Sequence, residues 1–368
     1  MVAAEAAVRR ERRRKERAAL AFPLARPESA TVPVEVADGI FWARLPMPMA
    51  LDHVNVYLLR DTDGWWLVDT GLNLAETRGI WESLAAQLLD GLPFKALICT
   101  HFHYDHTGLA SWLMERFDVP LYMSHGEFFA MRGLGGVGNE TQRRQMQAYF
   151  RAGGFTDEQS EDLLAAFGRD RFMPQHPTSF RRLRDGHLLE IGGREWRIIA
   201  GEGHSPEHLC LYCEQEALLI AGDQLLPEIS PNILVSDVEP EADPLGGWFS
   251  SLERLSELAD ETLVLPSHGQ PFRGLPARIE QLQAHHHRHL EQLMAMGRTG
   301  DGFAVVEAMG VLFPRELPPT EQFLAFGETL AHLNWLSRRG LLCRELGEGG
   351  VYRYSNGEGE LPALSPQG

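Results

Sequence analysis

His101-Phe102-His103-Tyr104-Asp105-His106 places four metal-capable side chains in six residues, directly after the apolar run Ala96-Leu97-Ile98-Cys99-Thr100. That run has the length and character of a buried strand, and Thr107-Gly108-Leu109-Ala110-Ser111-Trp112-Leu113 reads as the start of a helix. The ligand candidates therefore sit on a strand-to-helix loop. There the imidazoles of His101 and His103 can point one way while Asp105 and His106 turn toward a neighbouring point, so that one peptide serves two metals. Imidazole and carboxylate suit zinc, manganese or iron, and paired ions in such sites lie roughly 3.5–4 Å apart.

A site of this kind needs more ligands than one loop supplies. They stand where the pattern demands, each just beyond an apolar strand: Trp196 to Gly203 leads to His204, Ala217 to Gly222 leads to Asp223, and Thr262 to Ser267 leads to His268. Trp65-Trp66-Leu67-Val68 ends the same way in Asp69-Thr70-Gly71, a carboxylate read as lying beside the site without a ligand position of its own.

Val68-Asp69-Thr70-Gly71, the His101-to-His106 loop, Gly203-His204-Ser205, Ala221-Gly222-Asp223 and Ser267-His268-Gly269 resemble, in order, the five motifs of the metallo-β-lactamase-fold hydrolase superfamily. The resemblance covers roughly residues 34 to 275. It implies an α+β fold, a four-layer αββα sandwich with the site at one edge of two packed sheets. It also implies that His101, His103 and His204 hold one metal, that Asp105, His106 and His268 hold a second, and that Asp223 bridges them. The cofactors expected are two divalent ions, zinc first, with iron or manganese as alternatives.

The ligand set itself predicts the chemistry. Two cations sharing a solvent molecule lower its pKa toward about 7 and supply hydroxide at neutral pH. Asp105, adjacent to that solvent, is the expected catalytic residue, orienting it and accepting a proton. The expected reaction is hydrolysis of a small ester, thioester or lactone. The alternative is a phosphodiesterase or endoribonuclease acting on single-stranded RNA. Within the superfamily the chain resembles a glyoxalase II-like branch, although Gly269-Gln270-Pro271-Phe272 after His268 offers no basic cluster for glutathione. A flavodiiron protein would carry Glu in place of His103, and a mononuclear persulfide dioxygenase would not need Asp105, His106 and His268.

The other histidines read as structural. His208 opens the strand Leu209-Cys210-Leu211-Tyr212, and His285, His286, His287 and His289 fall in a polar helical run from Arg278 to Met296, read as a solvated face. His53 and Asn55 begin a strand-like segment and receive no role. Tyr104 stands inside the ligand loop, either toward substrate or packed on the neighbouring helix.

Composition allows one large core plus a smaller module in 368 residues. A net charge of −17 opposes nucleic-acid binding, whose affinity rests on Lys and Arg neutralising phosphates. The partner expected is a small-molecule substrate, with no membrane, since no apolar run approaches the roughly 20 residues of a span. Four cysteines give no disulfide framework and fit a reducing cytoplasm.

The domains expected are a basic N-terminal arm over 1–33, the catalytic domain over 34–275 with a helical insertion at about 126–170, and a C-terminal module over 276–368. The arm, with its Arg9-to-Arg17 run, reads as an exposed helix or a disordered tail. In the insertion, Thr141–Phe150 and Asp157–Phe167 read as helices that could form a lid, with Thr156 or Asp157 as a cap and Gly133 to Gly138 as a hinge. The tail reads as helices over Arg278–Met296, Phe303–Phe313 and Glu321–Arg339, then a hairpin around Gly347-Glu348-Gly349-Gly350. This resembles a winged-helix module. With few cations on its third helix, it is expected to be structural or to support a homodimer rather than to read nucleic acid.

Overall fold

The computed structural model describes residues 11–12, 14–49, 51–87, 91–133, 140–167, 175–298 and 302–362. Its strands are β1 Val34–Ala37, β2 Ile40–Pro46, β3 His53–Arg60, β4 Trp65–Val68, β5 Phe94–Ile98, β6 Leu121–Met123, β7 Arg181–Arg182, β8 Leu188–Ile191, β9 Arg194–Gly201, β10 His208–Cys213, β11 Leu218–Gly222, β12 Leu263–Pro266, β13 Leu342–Leu346 and β14 Tyr352–Asn356. β1 to β7 form one sheet in sequence order, β12-β11-β10-β9-β8 form a second, and β13 and β14 pair as a hairpin.

Alternation along the strands of the first sheet sends each strand's residues to two different cores. Trp42, Tyr57, Leu59, Trp66, Val68, Ala96 and Ile98 join Trp196, Ile198, Leu209, Leu211, Ile220 and Leu265 of the second sheet in one buried cluster. Their sequence neighbours Ala43, Val56, Leu58, Leu67 and Leu97 face the other way, into a cluster with the helices α1 Ala75–Gln87, α2 Tyr104–Thr107, α3 Ala110–Phe117 and α4 His125–Gly133. Because β4, β5 and β6 run parallel, as do β11 and β12, their carboxyl ends gather at common edges. Those ends lead into Asp69, the 101–106 loop, Asp223 and His268.

Contact density divides the chain into two compact units, one of 1–135, 171–231 and 253–279, the other of 136–170, 232–252 and 280–368. Every residue of the candidate metal site lies in the first. The insertion helices form where the sequence places them, as α5 Glu140–Ala152 and α6 Asp157–Phe167, with Thr156 and Gln159 capping each other at the start of the second. They group with the C-terminal helices and not with the sandwich. The physical reason is aromatic: Tyr149, Phe150 and Phe155 surround Phe326, with centroids 5.1 to 5.7 Å from it. The hinge expected at Gly133 to Gly138 falls mostly outside the described residues.

The remaining helices are α7 Pro244–Ser256, α8 Leu275–Gly297, α9 Val305–Leu312 and α10 Pro319–Arg338, the last three followed by the β13–β14 hairpin. The order of helices and hairpin is the one expected for the tail.

The N-terminal run is helical and mostly exposed over 14–18, and the chain after it is paired within the first unit, Ala21 N–H donating to Arg273 O at 3.1 Å; Arg9, Arg10 and Arg13 lie outside the described residues. One expectation needs correction. The 285–289 histidines do not form a solvated face: His286 and His332 are fully buried and stacked, ring centroids 5.1 Å apart, and Trp248 lies 4.8 Å from His286. α10 covers that side of α8 within the second unit, which a polar composition alone does not reveal. Among the described residues, no helix is long and apolar enough to cross a membrane.

Candidate metal centre

β5 hands the chain to the 101–106 loop, and three fastenings shape that loop before any ligand is considered. Thr70 Oγ1 donates to the His106 carbonyl at 3.0 Å, Gly71 N–H donates to the Asp105 carbonyl at 3.0 Å, and α2 winds a single turn over Tyr104–Thr107. Gly108 follows because a Cβ there would meet the Tyr104 carbonyl at 2.4 Å and the Gly71 carbonyl at 2.8 Å. Tyr104 is half-buried and packs against the helix-side core.

The seven predicted ligands come together in two adjoining groups. His101, His103, His204 and Asp223 each offer an atom within 4.8 Å of the others, and so do Asp105, His106 and His268. His101 Nε2 lies 2.8 Å from His103 Nδ1 and 3.2 Å from His204 Nε2. Asp105 Oδ2 lies 3.5 Å from His106 Nε2 and 3.3 Å from His268 Nε2. Asp223 faces both groups with different oxygens: Oδ2 is 3.4 Å from His204 Nε2, and Oδ1 is 3.4 Å from His268 Nε2 and 3.7 Å from His106 Nε2.

The outward nitrogens of His106 and His268 are tied down, which fixes the tautomers of these two rings. His106 Nδ1–H donates to Asp69 Oδ2 at 2.8 Å, and His268 Nδ1–H donates to the His53 carbonyl at 2.7 Å. Asp69 also accepts Thr100 N–H at 2.8 Å and the Thr100 hydroxyl at 2.9 Å. It sits at φ 65°, the left-handed region that a non-glycine residue rarely occupies. Asp69 thus lies beside the ligand candidates, in contact with His106.

Charge divides the site. Burial, helped by the neighbouring imidazoles, pushes His101 well below the usual histidine range and His103 down to about 3. At the other group burial opposes the charged form of histidine, yet Asp105, Asp69 and Asp223 overcome it at His106, which is held well above its usual value. Burial likewise loses to Asp223 and Asp105 at His268, which is raised to about 10. Asp105 and Asp223 resist the upward push of burial because His106 and His268 stand beside them, and both are held below the usual carboxylate range.

Three carboxylates in this space demand positive charge. The donor chemistry fits divalent cations, and a buried mismatch marks where they belong: His106 Nε2 and Asp223 Oδ1 are both buried and neither has a hydrogen-bond partner.

Sequence reasoning missed several positioning residues. Glu127, at the start of α4, is fully buried and binds both ligand loops: Oε2 accepts Phe102 N–H at 2.9 Å, and Oε1 accepts the Ser205 hydroxyl at 2.6 Å and Glu207 N–H at 2.7 Å. Burial outweighs these donors and pushes its carboxyl up to about 7. The available signal was its position, an acid just past the end of a third parallel strand. His208, read as structural, accepts Asp223 N–H on Nε2 at 3.1 Å and stacks on His101 at 4.9 Å. His53 Nε2 accepts Gly269 N–H at 2.8 Å, and Asn55 Nδ2 donates to the carbonyls of Pro266 and Gly269 at 2.7 and 3.0 Å, so the pair shapes the loop that carries His268.

A two-sheet sandwich with imidazoles and carboxylates converging at its strand ends defines a class, the metallo-hydrolases. Residues 49–268 match the family described as Metallo-beta-lactamase superfamily, and residues 290–357 match Metallo-beta-lactamase-like, C-terminal domain. The probable metallo-hydrolase YqjP of Bacillus subtilis is 29% identical over 317 residues, covering 81% of this chain and 92% of its own. The acyl-coenzyme A thioesterase MBLAC2 of Bos taurus is 26% identical, covering 64% and 80% respectively. Among solved structures, that of a beta-lactamase domain protein from Burkholderia ambifaria matches with a TM-score of 0.85 at 40% identity, covering 93% of this chain and 99% of that one. The chain belongs to the metallo-β-lactamase superfamily, and it is a metal-dependent hydrolase.

Proposed function

We propose that the protein hydrolyses a small ester, thioester or lactone at a dinuclear centre, with zinc as the first candidate metal and iron or manganese as alternatives. The observation that carries this reading is Asp223, whose two oxygens face two separate groups of nitrogen and oxygen donors. His101, His103 and His204 would hold one ion, Asp105, His106 and His268 the other, and Asp223 would join them. The chemistry that such a pair supplies when bound is activation of water at neutral pH and polarisation of a carbonyl oxygen.

The residues of the chain do the rest. Asp105, whose side chain keeps 18% of its surface accessible, takes the proton of the attacking water and returns it to the departing alkoxide or thiolate. Asp69 and the His53 carbonyl keep the Nε2 lone pairs of His106 and His268 turned inward. Glu127 and His208 hold the two ligand loops and Asp223 in register.

Likeness to an acyl-coenzyme A thioesterase supports the thioester as the first substrate to try. The net charge of −17 favours a small substrate over RNA. The order of three helices and a hairpin supports a winged-helix-like reading of the tail. The test is metal analysis of the purified protein followed by turnover of acyl thioesters, lactones, β-lactams and single-stranded RNA. Two metal equivalents with thioester or lactone turnover are expected. Cleavage of RNA with no ester turned over overturns the substrate reading, and full turnover after exhaustive metal removal overturns the mechanism.

A further inference from the structure

The second compact unit carries its own group of donors, none of them used by the catalytic reading. His285 and His289 lie one turn apart on α8, at the i and i+4 spacing that puts two side chains on one helix face, and their ring centroids are 4.6 Å apart. Glu328, from α10, points into the same space: each of the three offers a ligand atom within 4.8 Å of the others, and Glu328 Oε1 lies 3.9 Å from His289 Nδ1.

The neighbouring pair is already committed to hydrogen bonds. His332 Nδ1–H donates to the Glu328 carbonyl at 2.7 Å, which leaves His332 Nε2 to accept from His286 Nδ1–H at 3.0 Å. Both rings are fully buried, and burial pushes them below the usual histidine range, so they are neutral and form a backing wall. Glu328 is different. It is 8% exposed, and burial pushes its carboxyl up to about 8. An ionised carboxylate in such a place costs several kcal/mol unless a cation or a set of donors meets it.

We infer that His285, His289 and Glu328 form a second metal site, separate from the catalytic centre, that takes a divalent transition ion of the zinc class and clamps α8 to α10. Two imidazoles and one carboxylate form a donor set suited to zinc. The half-buried positions of His285 and His289 leave room for water to complete the coordination. The ion would satisfy the one buried acid of the group and tie together two helices that are far apart in sequence. This inference does not depend on the substrate or on the catalytic reading.

The experiment is a metal count on the full-length chain. Protein stripped with chelator is dialysed against zinc, and separately titrated with cobalt while its visible absorption is followed, for the wild type, Glu328→Gln, His289→Ala and His285→Ala. A second series carries the same changes in a background of His101→Ala, Asp223→Ala and His268→Ala, which takes ligands from both donor groups of the catalytic centre. In that background one equivalent per chain should remain, and each of the three substitutions should remove it together with the zinc-dependent rise in thermal midpoint. Circular dichroism identifies the variants that fold; His285→Ala, at a half-buried ligand, serves if Glu328→Gln does not. A folded variant that binds as much zinc as its parent, with the same cobalt spectrum, overturns the inference.

Discussion

At the scale of single residues, Asp69 offers the sharpest test of how the site is supported. Its φ of 65° would penalise most replacements, but asparagine tolerates that conformation and keeps an oxygen where Oδ2 now accepts from His106. Asp69→Asn therefore removes charge with little change of shape. Loss of such a supporting partner lowers metal affinity or activity by about 10–100-fold, and that is the expectation here. Competition with a chromophoric chelator would measure it, and an unchanged affinity would mean that Asp69 serves only the backbone.

Glu127→Gln separates geometry from charge in another way. The amide keeps one acceptor for Ser205 and Glu207 but turns an NH2 toward Phe102 N–H, so a buried donor loses its partner at a cost of about 1–3 kcal/mol. Thermal unfolding of the metal-free protein would show this loss, and an unchanged midpoint would remove Glu127 from the scaffold. Asp69 was legible beside the site because it follows an apolar strand as the ligands do, but Glu127 was not legible as a support. A ligand announces itself by donor type after an apolar run, whereas Glu127 matters through three contacts to segments near residues 102 and 206, which only the folded chain brings together.

At the scale of elements, the strand-end rule explains why so much of the site could be read in advance. β4, β5, β11 and β12 are short, apolar and parallel in pairs, so the first polar residues after each must emerge at the same edges. The rule fails for His208, which stands at the beginning of β10 and not after its end, and for the 285–289 run, where composition says nothing about which helix lies alongside.

Gly222, at the end of β11, connects these observations. It adopts φ 53°, and a Cβ there would sit 2.4 Å from the His208 ring. Gly222→Ala should cost about 1–2 kcal/mol for the left-handed backbone and about 1–3 kcal/mol for the overlap. His208→Ala leaves Asp223 N–H without its acceptor, at about 1–3 kcal/mol, but also vacates the space that the new methyl needs. The double variant should therefore be more stable than the sum of the singles by about 0.5–3 kcal/mol. Denaturant midpoints of the four proteins decide it, and strict additivity would mean that the ring and the glycine do not constrain each other.

At the scale of the whole molecule, two quantities follow from charge. The first is linkage: an ion that binds only the folded chain adds about 2.7 kcal/mol at a free concentration of about 100 times its Kd. Chelation should lower the thermal midpoint, and the midpoint should climb with the logarithm of added zinc. A midpoint indifferent to metal would leave the crowded carboxylates Asp69, Asp105 and Asp223 without their expected counterion.

The second concerns substrate. A protein of net charge −17 repels an anion approaching from solution unless a local cationic groove intervenes, and salt screens whichever field prevails. A protein that grips a polyanion through about 6–10 phosphate contacts loses roughly 10³–10⁵ in affinity between 50 and 200 mM salt. For this chain the opposite sign is expected. With an anionic acyl thioester, kcat/KM should hold level or rise as salt increases over that range, and with a neutral ester it should stay level. Steady-state rates on the two substrates at matched pH measure the difference. A steep fall confined to the anionic substrate would reveal a cationic track that the overall charge conceals, and would move the proposed substrate from a small acyl compound toward a phosphate-bearing chain.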